Sequence, residues 1–383
     1  MTHDLTQPIT ILHGDAITRL RELPAESVQC VVTSPPFYGL RDYQTPPMVW
    51  GGEPSCEHVW GPTQRTPWAN EAPGPHGRRK NGAASHTKTK TTGPFCQTCG
   101  CWRGELGQEV TVSAFIEHLT MVFREVWRVL APSGTCWVNI ADSYAGSGMG
   151  PQSATGERAS RSWPPPSTPT HPMRAVGLKN KDLCLVPERL SIALQEFGWY
   201  VRASVVWAKT APMPEAVRDR PTRAHEMVYL LAKNERYYYN AAAIAEPAIS
   251  KKGSGNNFQR PARLKWQNAD GTTGTTRGNS QPWEPTATRN TRDVWTLDPE
   301  PFPGAHFATM PTELASRCIL AGSRPGDTIL DPFAGSGTTL MVAQRLERRA
   351  IGIELNADYV RMIERRTAQP NLWLASQDCE VGA

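Results

Sequence analysis

The 383-residue chain has no apolar run long enough to cross a bilayer, and its first 30 residues hold no unbroken hydrophobic stretch of signal-peptide type. That absence leads us to expect a soluble, cytoplasmic protein with no membrane partner. Cysteine is too sparse for a disulfide scaffold: nine residues in a chain without secretory features point to core thiols or a metal site. Cys30, Cys136 and Cys318 fall in strand or helix patterns and read as core thiols. No internal repeat is found. Acidic residues are scarce in one segment. Between Ser250 and Arg292, eight basic side chains face only Asp270 and Glu284, a local charge of +6 in a chain whose total is +5. Such a bias favours a polyanion partner.

What is present builds an alternating α/β pattern, and 39% hydrophobic content is enough for a core. Ile9 to His13 reads as a strand, Gly14-Asp15 as a turn, and Ile17, Leu20 and Leu23 have helical spacing. Val28 to Val32 is a buried strand, ended by Pro35 and Pro36 in the run Thr33-Ser34-Pro35-Pro36-Phe37-Tyr38. Two prolines give a rigid rim without backbone N–H groups, and Phe37 adds a flat apolar face. Phe115, Leu119, Val122, Phe123, Val126 and Leu130 mark an amphipathic helix, with a strand over 135–140. A helix over 187–196 and a strand over 201–209 follow, and residues 227–231 and 237–239 suggest an edge hairpin around Asn234-Glu235. After a helix over 312–320, Ile329 to Thr339 reads as strand, glycine turn and helix start, and Ala350 to Ile353 is a strand ending in Glu354.

Between Gly39 and Gly107 the pattern breaks down into Pro, Gly, Thr and charged residues, which predicts a long loop. Inside it stand Cys56-Glu57-His58 and Cys96-Gln97-Thr98-Cys99-Gly100-Cys101. Cys-x-His and Cys-x-x-Cys have the ligand types of a tetrahedral structural zinc site, which would pin the two ends of the loop. Cys56, His58, Cys96 and Cys99 are the expected ligands, with Cys101 spare.

The Ser34-Pro35-Pro36-Phe37 tetrapeptide after a strand, together with Asp331-Pro332-Phe333-Ala334-Gly335-Ser336-Gly337, resembles the catalytic and S-adenosylmethionine motifs of the beta-class DNA amino-methyltransferases. The resemblance covers nearly the whole chain in the permuted order catalytic motif, recognition insert, cofactor motif. It implies a doubly wound Rossmann-like α/β methyltransferase sheet of circularly permuted motif order with a target-recognition insertion; the zinc-loop insertion expected from the Cys and His residues is not a general feature of the class. It also implies a bacterial or phage-encoded enzyme on double-stranded DNA, pairing as a homodimer. Ser34, Pro35, Pro36 and Phe37 would then be catalytic, accepting the hydrogens of an exocyclic amino group and stacking on a flipped base. Asp15, His306, Phe307, Asp331, Phe333, Gly335, Gly337, Thr338 and Glu354 would hold the cofactor. Asp15 serves equally well as a helix N-cap, and Asp142 reads as a loop cap ahead of the alternative that it lines the target-base pocket. Arg260, Arg263, Lys265, Arg277 and Arg289 would bind DNA, since arginine among Asn and Gln side chains suits groove-edge recognition. The Gly, Ser and Pro-rich segment from Tyr144 to Arg174 is a candidate clamp.

The expected organisation is a catalytic half over 1–38 and 108–245, the zinc loop over 39–107, the recognition insert over 246–293, the cofactor half over 294–370 and a tail over 371–383. No Pro-Cys dipeptide occurs, which sets the chain apart from methylation at the cytosine ring carbon. Serine leans towards N4-cytosine, with N6-adenine open. Two alternatives stand beside this reading: an RNA amino-methyltransferase, and a catalytically inert zinc-containing DNA-binding protein.

Overall fold

The computed structural model of the protein describes residues 7–40, 43, 45–62, 92–145, 177–248, 266–267, 273–274, 287–300 and 310–368. The chain begins with β1 (Ile9–His13), α1 (Ala16–Glu22) and β2 (Val28–Thr33). An insert of four short strands follows: β3 (Met48–Trp50), β4 (Trp60–Pro62), β5 (Thr92–Cys96) and β6 (Trp102–Gly104). Then come α2 (Val112–Val129), β7 (Leu130–Ile140), α3 (Val186–Phe197), β8 (Tyr200–Lys209) and β9 (His225–Ala232). Four two-residue strands, β10 (Glu246–Pro247), β11 (Trp266–Gln267), β12 (Thr273–Gly274) and β13 (Thr288–Arg289), precede β14 (Val294–Leu297). The chain closes with α4 (Thr312–Gly322), β15 (Thr328–Asp331), α5 (Thr338–Arg345), β16 (Arg349–Glu354) and α6 (Ala357–Ala368).

The main sheet has eight strands in the order β1-β16-β15-β2-β7-β9-β8-β14. β9 runs antiparallel to both its neighbours, and the other pairs are parallel. The central strands are apolar on both faces, as β2 shows: five of its six residues are buried. That two-sided burial is what a parallel sheet covered by helices demands. On one face α2 supplies Phe115, Leu119, Val122, Phe123 and Val126, all buried, starting at a Thr111 hydroxyl that accepts the Ala114 N–H. The strand order reverses at the β15/β2 joint: the chain leaves β15 towards β16 and leaves β2 towards β7. A doubly wound sheet opens a crevice at such a point.

Two expectations need correction. The edge hairpin is absent: β9 lies inside the sheet between β7 and β8, and Tyr237 to Tyr239 form no strand. Val228, Tyr229, Leu230 and Leu231 are buried and so need a strand on each side. Tyr238 instead donates its N–H to Ser133 O and lies under the Arg324 guanidinium. The second correction concerns 39–107, whose described residues are not a loop but an antiparallel sheet in the order β3-β6-β5-β4. Its strands are too short to show alternation, and their signal is the aromatic set Trp50, Trp60, Phe95 and Trp102.

A smaller unit, Asn240–Arg292, is separate from the rest by contacts. In it β10 pairs with β13, β11 pairs with β12, and Glu246 gathers Arg289, Thr291 and Arg292. The Tyr144–Arg174 clamp segment beyond Ala145, and the tail over 371–383, lie outside the described residues. Among the described residues no helix is long and apolar enough to cross a membrane.

Candidate active site and metal centre

The cleft forms where the chain leaves β2 and β15. Register pairs Ile329 with Cys30 and Leu330 with Val31, so Thr33 and Asp331 end neighbouring strands. The Thr33 hydroxyl donates to Asp331 Oδ1 at 2.7 Å, clamping the two exits together. Asp331 Oδ1 also accepts the Phe333 N–H at 3.1 Å, which turns the chain into the glycine loop. Residues almost three hundred positions apart thereby line one cleft: Ser34, Pro35, Pro36 and Phe37 on one side, Asp331, Phe333, Gly335 and Thr338 on the other. Asp15 and Glu354 line it as well. Counting its open mouth, the cleft encloses about 1120 Å³.

The glycine loop is shaped by its backbone. Gly335 and Gly337 have φ of 52° and 80°, the left-handed region that glycine enters freely. A Cβ on Gly337 would stand 2.9 Å from the Ile363 side chain, so the loop is also pressed against α6. The start of α5 presents partial positive charge. Glu354 Oε2 accepts the Gly335 N–H at 2.8 Å and Oε1 the Asn356 N–H at 2.7 Å, which ties the end of β16 to the loop. Burial pushes the Glu354 carboxyl up to about 7 and the Asp331 carboxyl up to about 6. Asp15 caps α1, accepting the Thr18 N–H at 2.8 Å, and also lines the cleft.

Behind Ser34 runs a chain of directed hydrogen bonds. The Asn139 amide nitrogen donates to Glu226 Oε2 at 2.9 Å and to Met227 O at 3.4 Å. A carboxylate and a carbonyl only accept, so the amide orientation is fixed. Asn139 Oδ1 therefore accepts from the Ser34 hydroxyl at 3.2 Å, and Lys209 pairs with the far oxygen of Glu226. The Ser34 hydrogen is committed inwards, which leaves its oxygen lone pairs for the cleft.

Sequence reasoning missed Asn139, Glu226 and Lys209. The available signal was a polar residue at position 139, inside the apolar run of a strand next to β2. It also missed Arg366, which reaches from α6 to Ser336 O at 2.6 Å and braces the glycine loop. Asp142 behaves as the expected cap, accepting N–H groups from Ser143, Leu185 and Val186 around the start of α3. His306 and Phe307 lie outside the described residues, as do Arg260, Arg263, Lys265 and Arg277. Arg289 is paired with Glu246 at 3.1 Å.

The four expected metal ligands are brought together: one donor atom each from Cys56, His58, Cys96 and Cys99 lie within 4.8 Å of one another. Cys56 Sγ is 3.9 Å from Cys96 Sγ, and Cys99 Sγ is 3.5 Å from His58 Nδ1. With Zn–S of about 2.3 Å and Zn–N of about 2.0 Å, the edges of a tetrahedron come to about 3.8 Å between sulfurs and about 3.5 Å between sulfur and nitrogen. Those two spacings suit that ion. Burial opposes ionisation of the Cys96 thiol, but N–H groups of Cys99 and Thr98 and the His58 ring outweigh it and hold it below its ordinary range. Cys101 Sγ is also 3.5 Å from His58 Nδ1, so it lies beside the same cluster.

A profile of the DNA methylase family (N6_N4_Mtase) matches residues 28–365, most of the chain. The chain belongs to this family. Among curated relatives, this methylase is 36% identical over 358 residues to the type II methyltransferase M.Cfr9I of Citrobacter freundii, covering 93% of this chain and 87% of that one. It is also 36% identical over 358 residues to the type II methyltransferase M.SmaI of Serratia marcescens, covering 93% and 89%. Among solved structures, the PvuII DNA methyltransferase (cytosine-N4-specific) matches with a TM-score of 0.51 at 14% identity, over 94% of this chain and 86% of that one. That last likeness concerns the fold.

Proposed function

We propose that this methylase transfers the methyl group of S-adenosylmethionine to the exocyclic amino group of a base flipped out of double-stranded DNA. The observation that carries the reading is the shared cleft: Ser34 and Gly335 line it together across the β2/β15 joint. In this assignment 1–38 and 108–245 form the catalytic half, 294–370 the cofactor half and 246–293 the recognition insert.

S-adenosylmethionine, when bound, supplies a methyl group on a sulfonium sulfur. The residues present fit it. Gly335 and Gly337 let the backbone approach closely, the start of α5 offers N–H groups to its carboxylate, and Glu354 at the end of β16 is the acceptor for ribose hydroxyls. Arg366 and Ile363 hold the loop that leads into that helix.

An exocyclic amino group is a poor nucleophile because its lone pair is delocalised into the ring. Ser34 Oγ, its own hydrogen committed to Asn139, acts as a pure acceptor for one amino hydrogen, and the Pro35 carbonyl accepts the other. Together they draw the nitrogen towards a tetrahedral shape and aim its lone pair at the donor methyl. Ser34 Oγ orients the N–H of the methylated nitrogen by hydrogen bonding, and the proton that this nitrogen sheds leaves to water at the open mouth of the cleft. Phe37 stacks on the base, which leaves the duplex at a cost of about a few kcal/mol. Serine at this position supports cytosine N4 over adenine N6.

The insert is proposed to hold zinc through Cys56, His58, Cys96 and Cys99, on the strength of the tetrahedral spacing of the donors. Incubation of the protein with tritiated S-adenosylmethionine and duplex DNA, single strands or RNA tests the substrate class. Methylation-aware sequencing of the duplex product then gives base and site. Label on RNA alone, or no label with intact cofactor binding, would overturn the reading.

A further inference from the structure

The residues after Phe37 do not leave the cleft. Tyr43, Thr45, Pro46, Met48 and Trp50, with Leu106 at the far end of the insert, line it too. Gly14, Asp15, Asp331, Gly335 and Glu354, at or beside the ends of β1, β15 and β16, belong to the donor half described above. The insert therefore walls the half that begins at Ser34 and Phe37.

A continuous set of contacts runs from the metal ligands to Phe37. Cys96 ends β5, Trp102 begins β6, and the knuckle between them is closed by Cys96 N–H to Cys101 O at 2.9 Å and Gly100 N–H to Cys96 O at 3.0 Å. Trp102 pairs in register with Phe95 on one side and Trp50 on the other. The His118 ring is stacked on Trp50, with centroids 5.1 Å apart, and on Trp102 at 5.5 Å. His118 Nδ1 meets Glu109 Oε1 at 3.0 Å, and the other oxygen of this fully buried carboxylate accepts the Gly107 N–H at 2.8 Å. Gly107 O in turn accepts the Gly39 N–H at 2.8 Å. Gly107 sits so close to the catalytic loop that a Cβ there would be 3.1 Å from Phe37 O. Each step is a packed or hydrogen-bonded contact, of the kind through which order at one site can reach another.

We propose that the Cys/His-held insert is the positioning element for the extruded base: its metal fixes the β5–β6 knuckle, and the Trp50-His118-Trp102 stack carries that order to Phe37. The inference rests on the methyltransferase and metal readings above, and it makes Trp102 and His118 positioning residues. It predicts that metal loss weakens engagement of the base and spares the cofactor.

The test uses the full-length protein as purified, with zinc content measured, and three variants: Cys99→Ser, Trp102→Leu and Trp102→Phe. Steady-state methyl transfer onto unmethylated genomic DNA gives kcat and KM for DNA, and calorimetry gives Kd for S-adenosylmethionine. Cys99→Ser should lose the metal and, like Trp102→Leu, lower kcat/KM for DNA by about tenfold or more, with Kd for S-adenosylmethionine changed by less than about twofold. Trp102→Phe keeps a stacking ring and should recover most of the loss. Cofactor affinity that falls in step with DNA engagement, or unaltered kinetics in Cys99→Ser and Trp102→Leu, would overturn the proposal. So would less than about half an equivalent of zinc in the unaltered protein. Failure of the unaltered protein to bind S-adenosylmethionine would strike the methyltransferase reading instead.

Discussion

The two walls of the cleft are built by different physics. The donor wall is made of backbone: strand ends held in register, a glycine loop in the left-handed region and a helix start, with Asp331 and Glu354 accepting the loop's N–H groups. The insert wall is held in place by side chains gathered from far apart in its own sequence: three cysteines, a histidine and three tryptophans around short strands. A backbone-built wall follows wherever the sheet folds. A side-chain-built wall exists only while its few cross-links hold, so the insert should fail first and separately.

The largest effect expected of a single change is on the insert. His118→Leu takes one hydrogen-bond partner from the fully buried Glu109, leaving it the Gly107 N–H, and removes the ring stacked on Trp50 and Trp102, together a loss of about 2–4 kcal/mol. Urea unfolding monitored by tryptophan fluorescence should show that loss. An unchanged midpoint would mean the insert is not held through His118.

Ser34→Ala tests the junction of the walls. Removing one preorganised acceptor should lower kcat by about 10²–10³-fold, with cofactor affinity unchanged. Equal losses in turnover and cofactor binding would assign Ser34 to the donor wall instead. Glu226→Gln comes next. A glutamine can donate to Asn139 Oδ1 and reverse the amide, which would free the Ser34 hydrogen to point into the cleft. Turnover should fall by about tenfold, at constant cofactor Kd.

The smallest effect is a pH dependence of the donor wall. Burial raises Glu354 to about 7 and Asp331 to about 6, so Glu354 is largely protonated at pH 6 and ionised at pH 8. The ionised carboxylate is the better acceptor for ribose hydroxyls, and S-adenosylmethionine should bind tighter as pH rises through 7. Glu354→Gln should flatten the profile. The sign for stability is opposite. Because both folded values are raised above the unfolded ones, any stability these groups add is present at low pH and is lost as pH rises through about 6 to 7. Calorimetric titration and thermal melts at pH 6 and 8 check both signs.

The same contrast explains what could be read from the sequence. Val28 to Phe37 and Ile329 to Thr339 announce strand, turn and chemistry within ten or so residues, and the fold brings them together through strand order. The Cys and His ligands were legible because metal donors are chemically distinctive. The strands that carry them were not, since a three-residue strand such as Met48–Trp50 shows no period. β9 was misplaced because hydrophobicity alone does not distinguish an inner strand from an edge. Asn139, Glu226 and Lys209 come from three strands whose neighbours are fixed only by the sheet order, and no local pattern links them.

The central claim is that donor and base meet in the cleft between Ser34 and Gly335. A crystal structure of the protein with a non-reactive S-adenosylmethionine analogue and cognate duplex tests it most directly. The account predicts an extruded base with its amino nitrogen about 3 Å from Ser34 Oγ and the analogue lying along Gly335 and Gly337. A base still stacked in the duplex, or an analogue bound away from the glycine loop, would contradict it.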